Sequence, residues 1–198
     1  MTQQTLIFLG PQGSGKGTQV ELLKNFLTEN DPGRPILYFE AGRFLREFAK
    51  GDGYVEKRVN EILLGGNFVP TFITTYLMSQ YFVGSMTGEE HLIVDGFPRE
   101  LEQAYVFDTA VKFYSRPSPT LLNITLPEEE SVKRLLKRGR ADDTEEGIRS
   151  RLAWNEKQVN PVIEWFRQNP RYRALDIDGN HTVEEVHQDI LQQLGLAK

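Results

Sequence analysis

The chain contains no cysteine among its 198 residues. It therefore has no disulfide, no thiol nucleophile and no cysteine-held zinc. It also lacks an excess of positive charge. Lys and Arg number 23 against 28 Asp and Glu, a formal charge of −5, and the pI is near 5.3. A non-specific nucleic-acid binder needs a basic surface, so a nucleic-acid polymer is not an expected partner. Long apolar runs are missing too. Residues 1–10 carry no basic stretch, and their apolar run is confined to 6–9, too short for a signal-peptide core. Nothing approaches the ~20 apolar residues of a membrane span. The expectation is a soluble, cytoplasmic chain without a membrane partner. No internal repeat or low-complexity segment is present.

What remains is a globular composition, 39% hydrophobic and 26% charged, at a length that suits one domain. Short apolar runs at 6–9, 36–39, 91–95, 120–125 and 174–177 read as strands. Helical patterns lie at 16–29, 100–114, 128–138, 144–168 and 182–194, and two or three short helices fill 42–84. Strands that alternate with helices need crossover connections, which predicts a mostly parallel α/β sheet. Ligands then bind beyond the carboxyl ends of the strands.

At the end of the first strand stands Gly10-Pro-Gln-Gly-Ser-Gly15-Lys16-Gly17-Thr18. Gly10, Gly15 and Lys16 have the G-x-x-x-x-G-K spacing of a phosphate loop, between a strand and a helix as that motif requires. The glycines let backbone N–H groups point at phosphate, the helix adds its N-terminal dipole, and Lys16 supplies a mobile charge. The residue after Lys16 is Gly17 rather than Ser or Thr, with Thr18 one place later. At the end of the third strand comes Asp95-Gly96-Phe-Pro-Arg99. Asp95 at the strand tip can hold Mg²⁺ through its waters. Arg99 can grip a phosphate through two parallel hydrogen bonds. Residues 133–151 carry seven basic side chains. Arg134 and Arg138 share a helix face, and Asp143 with Glu146 has the spacing of a helix cap and its N3 partner.

The loop G-x-x-G-x-G-K-G-T-Q and the string D-G-F-P-R resemble those of adenylate kinases and related nucleoside monophosphate kinases. Ala41-Gly42-Arg43-Phe-Leu-Arg46 is similar to the family's S/T-G-x-x-L-R segment. Gly66-Asn67-Phe-Val69-Pro70 is similar to the segment that closes over the acceptor base, and R-L-L-K-R-G-R-x-D-D to the lid. The likeness covers about residues 6–194.

It implies a three-layer P-loop sandwich, a five-stranded parallel sheet flanked by helices. The core would comprise 1–39, 71–137 and 144–198, with a helical acceptor lobe at 40–70 and a minimal lid at 138–143. ATP would meet Gly13, Ser14, Gly15, Lys16, Gly17, Thr18, Arg134, Arg138 and, through the loop after the last strand, Gly179. The acceptor nucleotide would meet Ala41, Arg46, Asn67, Val69, Gly96, Arg99, Gln103, Arg140 and Arg151. Lys16, Arg99, Arg138, Arg140 and Arg151 would stabilise the transferring phosphoryl group. Mg²⁺ would arrive with ATP, zinc would be absent, and a monomer is expected.

Two clues to the acceptor disagree. Gln103 matches the glutamine that reads adenine, whereas Glu40-Ala41 replaces the usual Ser-Thr and its alanine is closer to uridylate/cytidylate kinases. Adenylate kinase is the first expectation, because an amide pairs a base edge directly. A pyrimidine or broad-specificity kinase is the second, and a nucleotide-dependent switch a remote third, since no guanine-reading N/T-K-x-D segment exists. His91, His181 and His187 fit no ligand spacing, Asp108, Asp176 and Asp178 read as turn or cap residues, and Arg149 should face away from the clamp. Glu40 and Arg43 have no role in this reading.

Overall fold

A computed structural model describes residues 1–139 and 143–197 of the chain. Arg140 therefore lies outside the described residues. Five strands form one sheet: β1 (Thr5–Leu9), β2 (Ile36–Glu40), β3 (His91–Asp95), β4 (Thr120–Thr125) and β5 (Arg173–Asp178). Their order is β2-β3-β1-β4-β5, and every neighbouring pair is parallel. The helices are α1 (Lys16–Asn30), α2 (Ala41–Phe48), α3 (Tyr54–Leu64), α4 (Thr71–Ser85), α5 (Leu101–Phe113), α6 (Glu128–Arg138), α7 (Glu145–Gln168) and α8 (Val183–Leu194).

Strand alternation explains the two cores. On β1, Leu6 and Phe8 point to one face, where they meet Val20, Leu23 and Leu27 of α1 and Ile190 of α8. Ile7 and Leu9 point to the other, against Met78 and Phe82 of α4, Phe107 of α5 and Phe166 of α7. Every residue of β1 is at most 1% exposed, as a central parallel strand covered on both faces requires. Removing the Phe8 ring would cost about 3–5 kcal/mol. Val59, Ile73 and Leu77 form a separate small cluster with Phe44, Leu45 and Val69, which holds α2, α3 and the start of α4 together. Pro161 sits inside α7 without ending it, between the buried Val159 and the buried Val162 and Ile163. Packing on the sheet outweighs the lost hydrogen bond there.

Two local expectations are corrected. Thr144, not Asp143, caps α7: its hydroxyl accepts the N–H of Gly147, spanning the three-residue step of a cap. Asp108 is no turn residue. It lies inside α5, accepts a 3.0 Å hydrogen bond from the buried Tyr172 hydroxyl, and pairs with Lys112 and Arg171. Asp176 is likewise a strand residue, joined to Asn123 and Arg167. Asp178 does turn the chain, accepting from the Asn180 N–H at 2.8 Å.

Candidate active site

The carboxyl ends of β1, β2 and β3 and the N-terminus of α1 meet at one edge of the sheet. Glu40 and Asp95 are register partners at the tips of β2 and β3, and Phe8 of β1 lies beside Asp95. Gly10 leaves β1 with φ +132°, and Gly13 and Gly15 follow at +84° and +90°. Only glycine takes that sequence of positive angles readily. The loop turns tightly enough that Lys16 folds back on it. Lys16 Nζ donates to the carbonyls of Gly10 at 2.8 Å and Pro11 at 2.7 Å. Burial pulls the Lys16 amine down to about 8, with Asp95 opposing that drop and Arg99 and Arg138 adding to it. An arriving phosphate would reverse it by favouring the charged form.

Two of the cavities at this edge carry the site's arginines. The larger, about 430 Å³, is lined by Gly13, Gly15, Lys16, Gly17, Thr18, Glu40, Asp95 and Arg134 among others. The second, about 220 Å³, is lined by Ala41, Leu45, Asn67, Phe68, Val69, Thr74, Gln103, Arg151 and Trp154 among others. Arg46, Gly96, Arg99 and Arg138 line both. Three guanidinium groups thus stand where the two cavities join. Ser14 is buried against the loop itself, and Gly179 closes its far side. The Gly179 N–H donates to Thr125 O, and its carbonyl accepts from Arg134 at 3.1 Å.

Arg99 is held rigidly. Its Nε donates to Gly96 O at 2.7 Å, and its backbone N–H donates to Gln103 Oε1 at 2.8 Å. Burial pushes its pKa down while Asp95 opposes the shift. Gln103 is 4% exposed. Its Nε2 donates to Glu100 Oε2 at 3.5 Å, which leaves one N–H of the amide beside the cavity that it lines. The other arginines rest on carboxylates. Arg46 pairs with Glu40 and Arg134 with Glu130. Arg138 grips Asp143 through two bonds of 2.9 and 2.8 Å, and Arg151 Nη2 reaches the same carboxylate at 2.8 Å. Arg149 faces away, bound to Glu128, Glu129 and Glu145.

The sequence reading missed Glu40, Asp143, Phe68 and Trp154 as parts of this site. Asp143 was legible only as a helix cap. Arg43 finds a local place, its guanidinium over the rings of Tyr38 and Phe44. His91 is fully buried at the opposite edge of the sheet, far from any ligand role.

The donor set suits a magnesium nucleotide. Asp95 at the strand tip and the Thr18 hydroxyl are hard oxygen donors beside the loop. Among the described residues no group of three or more His, Cys, Asp or Glu gathers. A metal here would take most ligands from phosphate and water, the usual habit of Mg²⁺. No helix among the described residues is long and apolar enough to cross a membrane.

Comparison with known proteins agrees with this geometry. The family model described as adenylate kinase matches residues 8–171. An adenylate kinase of Prochlorococcus marinus (strain MIT 9301) is 31% identical over 96% of this chain and 97% of its own length. One from Synechococcus sp. (strain RCC307) is 32% identical over the same shares, and one from Leptospira biflexa 31% over 96% and 98%. The phosphate loop, the strand-tip Asp95 and the arginines between two cavities thus sit in a chain that belongs to the adenylate kinase family, a nucleoside monophosphate kinase and phosphotransferase.

Proposed function

We propose that the enzyme catalyses ATP + AMP ⇌ 2 ADP, with Mg²⁺ carried in by the nucleotide. The observation that supports this most directly is the set of three arginines, Arg46, Arg99 and Arg138, lining both cavities. Two phosphate-bearing ligands aligned end to end would meet there. ATP would lie in the larger cavity, its phosphates on the Gly13–Thr18 backbone and Lys16. The acceptor would lie in the smaller one, its phosphate between Arg46 and Arg99 and its base near Gln103, Asn67 and Val69.

No general base is required, because the acceptor phosphate is already ionised near neutral pH. Catalysis reduces to alignment and charge. Bound Mg²⁺ would neutralise phosphate charge, with Asp95 holding its waters. Lys16, Arg99, Arg138, Arg151 and Arg140 would neutralise the equatorial oxygens as the phosphoryl group moves. In this reading residues 40–70 form the acceptor lobe and 138–143, of which 140–142 lie outside the described residues, the lid; both would close to exclude water, which would otherwise take the phosphoryl group.

Gln103 supports AMP, since the N–H that Glu100 does not take suits an acceptor nitrogen of adenine. Ala41 favours a second reading, a pyrimidine acceptor, because it is buried against the same cavity without the usual hydroxyl. A coupled assay with ATP and AMP, UMP, CMP or dTMP in turn decides. The fastest turnover per KM belongs to AMP; a best rate with UMP or CMP overturns the adenylate assignment.

A further inference from the structure

Phe68 and Trp154 come from distant parts of the chain and meet face to face. Their ring centroids are 3.5 Å apart and their planes lie within 11°. Phe68 belongs to the loop between α3 and α4, and Trp154 lies on α7, three residues after Arg151 and so on the same helix face. Both rings line the smaller cavity, beside Asn67, Val69 and Arg151.

The rest of the loop holds to its own lobe. The N–H groups of Gly66 and Asn67 donate back to Leu63 O and Ile62 O at the end of α3. Val69 points into the cluster around Val59, Ile73 and Leu77. Phe68 turns the other way and reaches the helix that carries Arg151. Trp154 is itself braced against the main core. An aromatic stack of this kind gives a large contact at little conformational cost, since each ring has two rotatable bonds.

We propose, building on the acceptor reading above, that Trp154 is a positioning residue for the acceptor nucleotide. By stacking on Phe68 it seats the loop that carries Asn67 and Val69 over the acceptor cavity. Without the stack the loop spends part of its time away from the cavity, and the apparent acceptor affinity falls by that fraction. ATP affinity stays as it was, because neither ring lines the phosphate-loop cavity.

The test is a split of Michaelis constants. In Trp154→Ala the KM for the acceptor rises about two- to tenfold, the range of a lost aromatic pair, while the KM for ATP stays within twofold. Trp154→Phe restores most of the loss. Phe68→Ala matches Trp154→Ala, and the double variant is no worse than either, as expected for two halves of one contact. Equal rises in both KM values, an unchanged acceptor KM, or additive losses would overturn the proposal. Should Trp154→Ala not fold, Phe68→Ala carries the same comparison. Wild-type transfer from ATP to the four monophosphates is measured first. No transfer to any of them defeats the acceptor reading itself; normal transfer with an unchanged acceptor KM in the variants defeats only the role of the Phe68–Trp154 stack.

Discussion

Arg46 Nη2 lies 3.0 Å from Glu40 Oε1, at the boundary between the two cavities. Glu40 sits at the tip of β2 because strand pairing places it beside Asp95, and Arg46 is one and a half helical turns into α2. The pair explains the residue that replaces the family's usual serine. Under the proposed assignment, the acceptor phosphate would then have to win Arg46 from a carboxylate. Such a half-exposed pair is worth about 1 kcal/mol at most. Glu40→Gln is therefore expected to lower the acceptor KM by up to about fivefold, with little change in melting temperature. A raised KM would show that Glu40 orients Arg46 rather than competing for it.

Under the proposed assignment, Lys16→Ala and Arg99→Ala each remove a charge that would face the transferring group. Turnover should fall by about 10²-fold or more, the scale of losing one aligned donor in a water-poor site. Circular dichroism should still show the native fold. Near-normal turnover of either variant would defeat the assignment of the site.

Two glycine variants separate strain from collision. A Cβ on Gly10 would stand 2.1 Å from the Ile124 carbonyl oxygen, a backbone atom on β4 that cannot yield. Gly10→Ala should cost about 2–4 kcal/mol, strain and overpacking together. Gly195 ends α8 at φ +72° with open space around it. Gly195→Ala should cost only about 1–2 kcal/mol, the left-handed penalty alone. Urea melts read both, and equal losses would contradict the difference in surroundings.

His91 makes stability sensitive to mild acid. Its Nδ1 accepts the Gln4 N–H at 3.1 Å, and Nε2 lies 3.3 Å from Asp31 Oδ2 without hydrogen-bond alignment. Burial holds its pKa below the ordinary value; Asp31 opposes that shift, and Arg34 and Arg116 add to it. The unfolded chain therefore takes up a proton first as pH falls below about 6.5, and stability is lost until the folded pKa is reached. His91→Asn should flatten the decline in urea midpoint between pH 7 and 5. An identical slope in both proteins would remove His91 as its cause.

The features most legible in sequence were those whose chemistry is local. Gly10, Gly15 and Lys16 announce a phosphate loop because a backbone nest needs that spacing, and the unbroken apolar run of β1 announces a strand covered on both faces. Asp108 and Asp143 were misread for a shared reason. Their partners were not evident: Tyr172 lies in a segment that only the tertiary fold brings to Asp108, and Arg151, though on the helix next to Asp143, folds back to reach it. A polar residue beside a helix end looks like a cap until its partner is known. Phe68 and Trp154 carry no sequence signal at all, because a loop aromatic and a helix aromatic are ordinary residues until they stack.

The carboxylates under the site's arginines have a further effect on which solutes can enter. Glu40, Glu130 and Asp143 already occupy Arg46, Arg134, Arg138 and Arg151. A chloride ion arriving from the surrounding salt would bring a single charge and would have to evict one just like it. A nucleotide brings several charges on one frame, and evicts its rivals together. These four arginines should therefore give way to polyvalent anions more readily than to small monovalent ones.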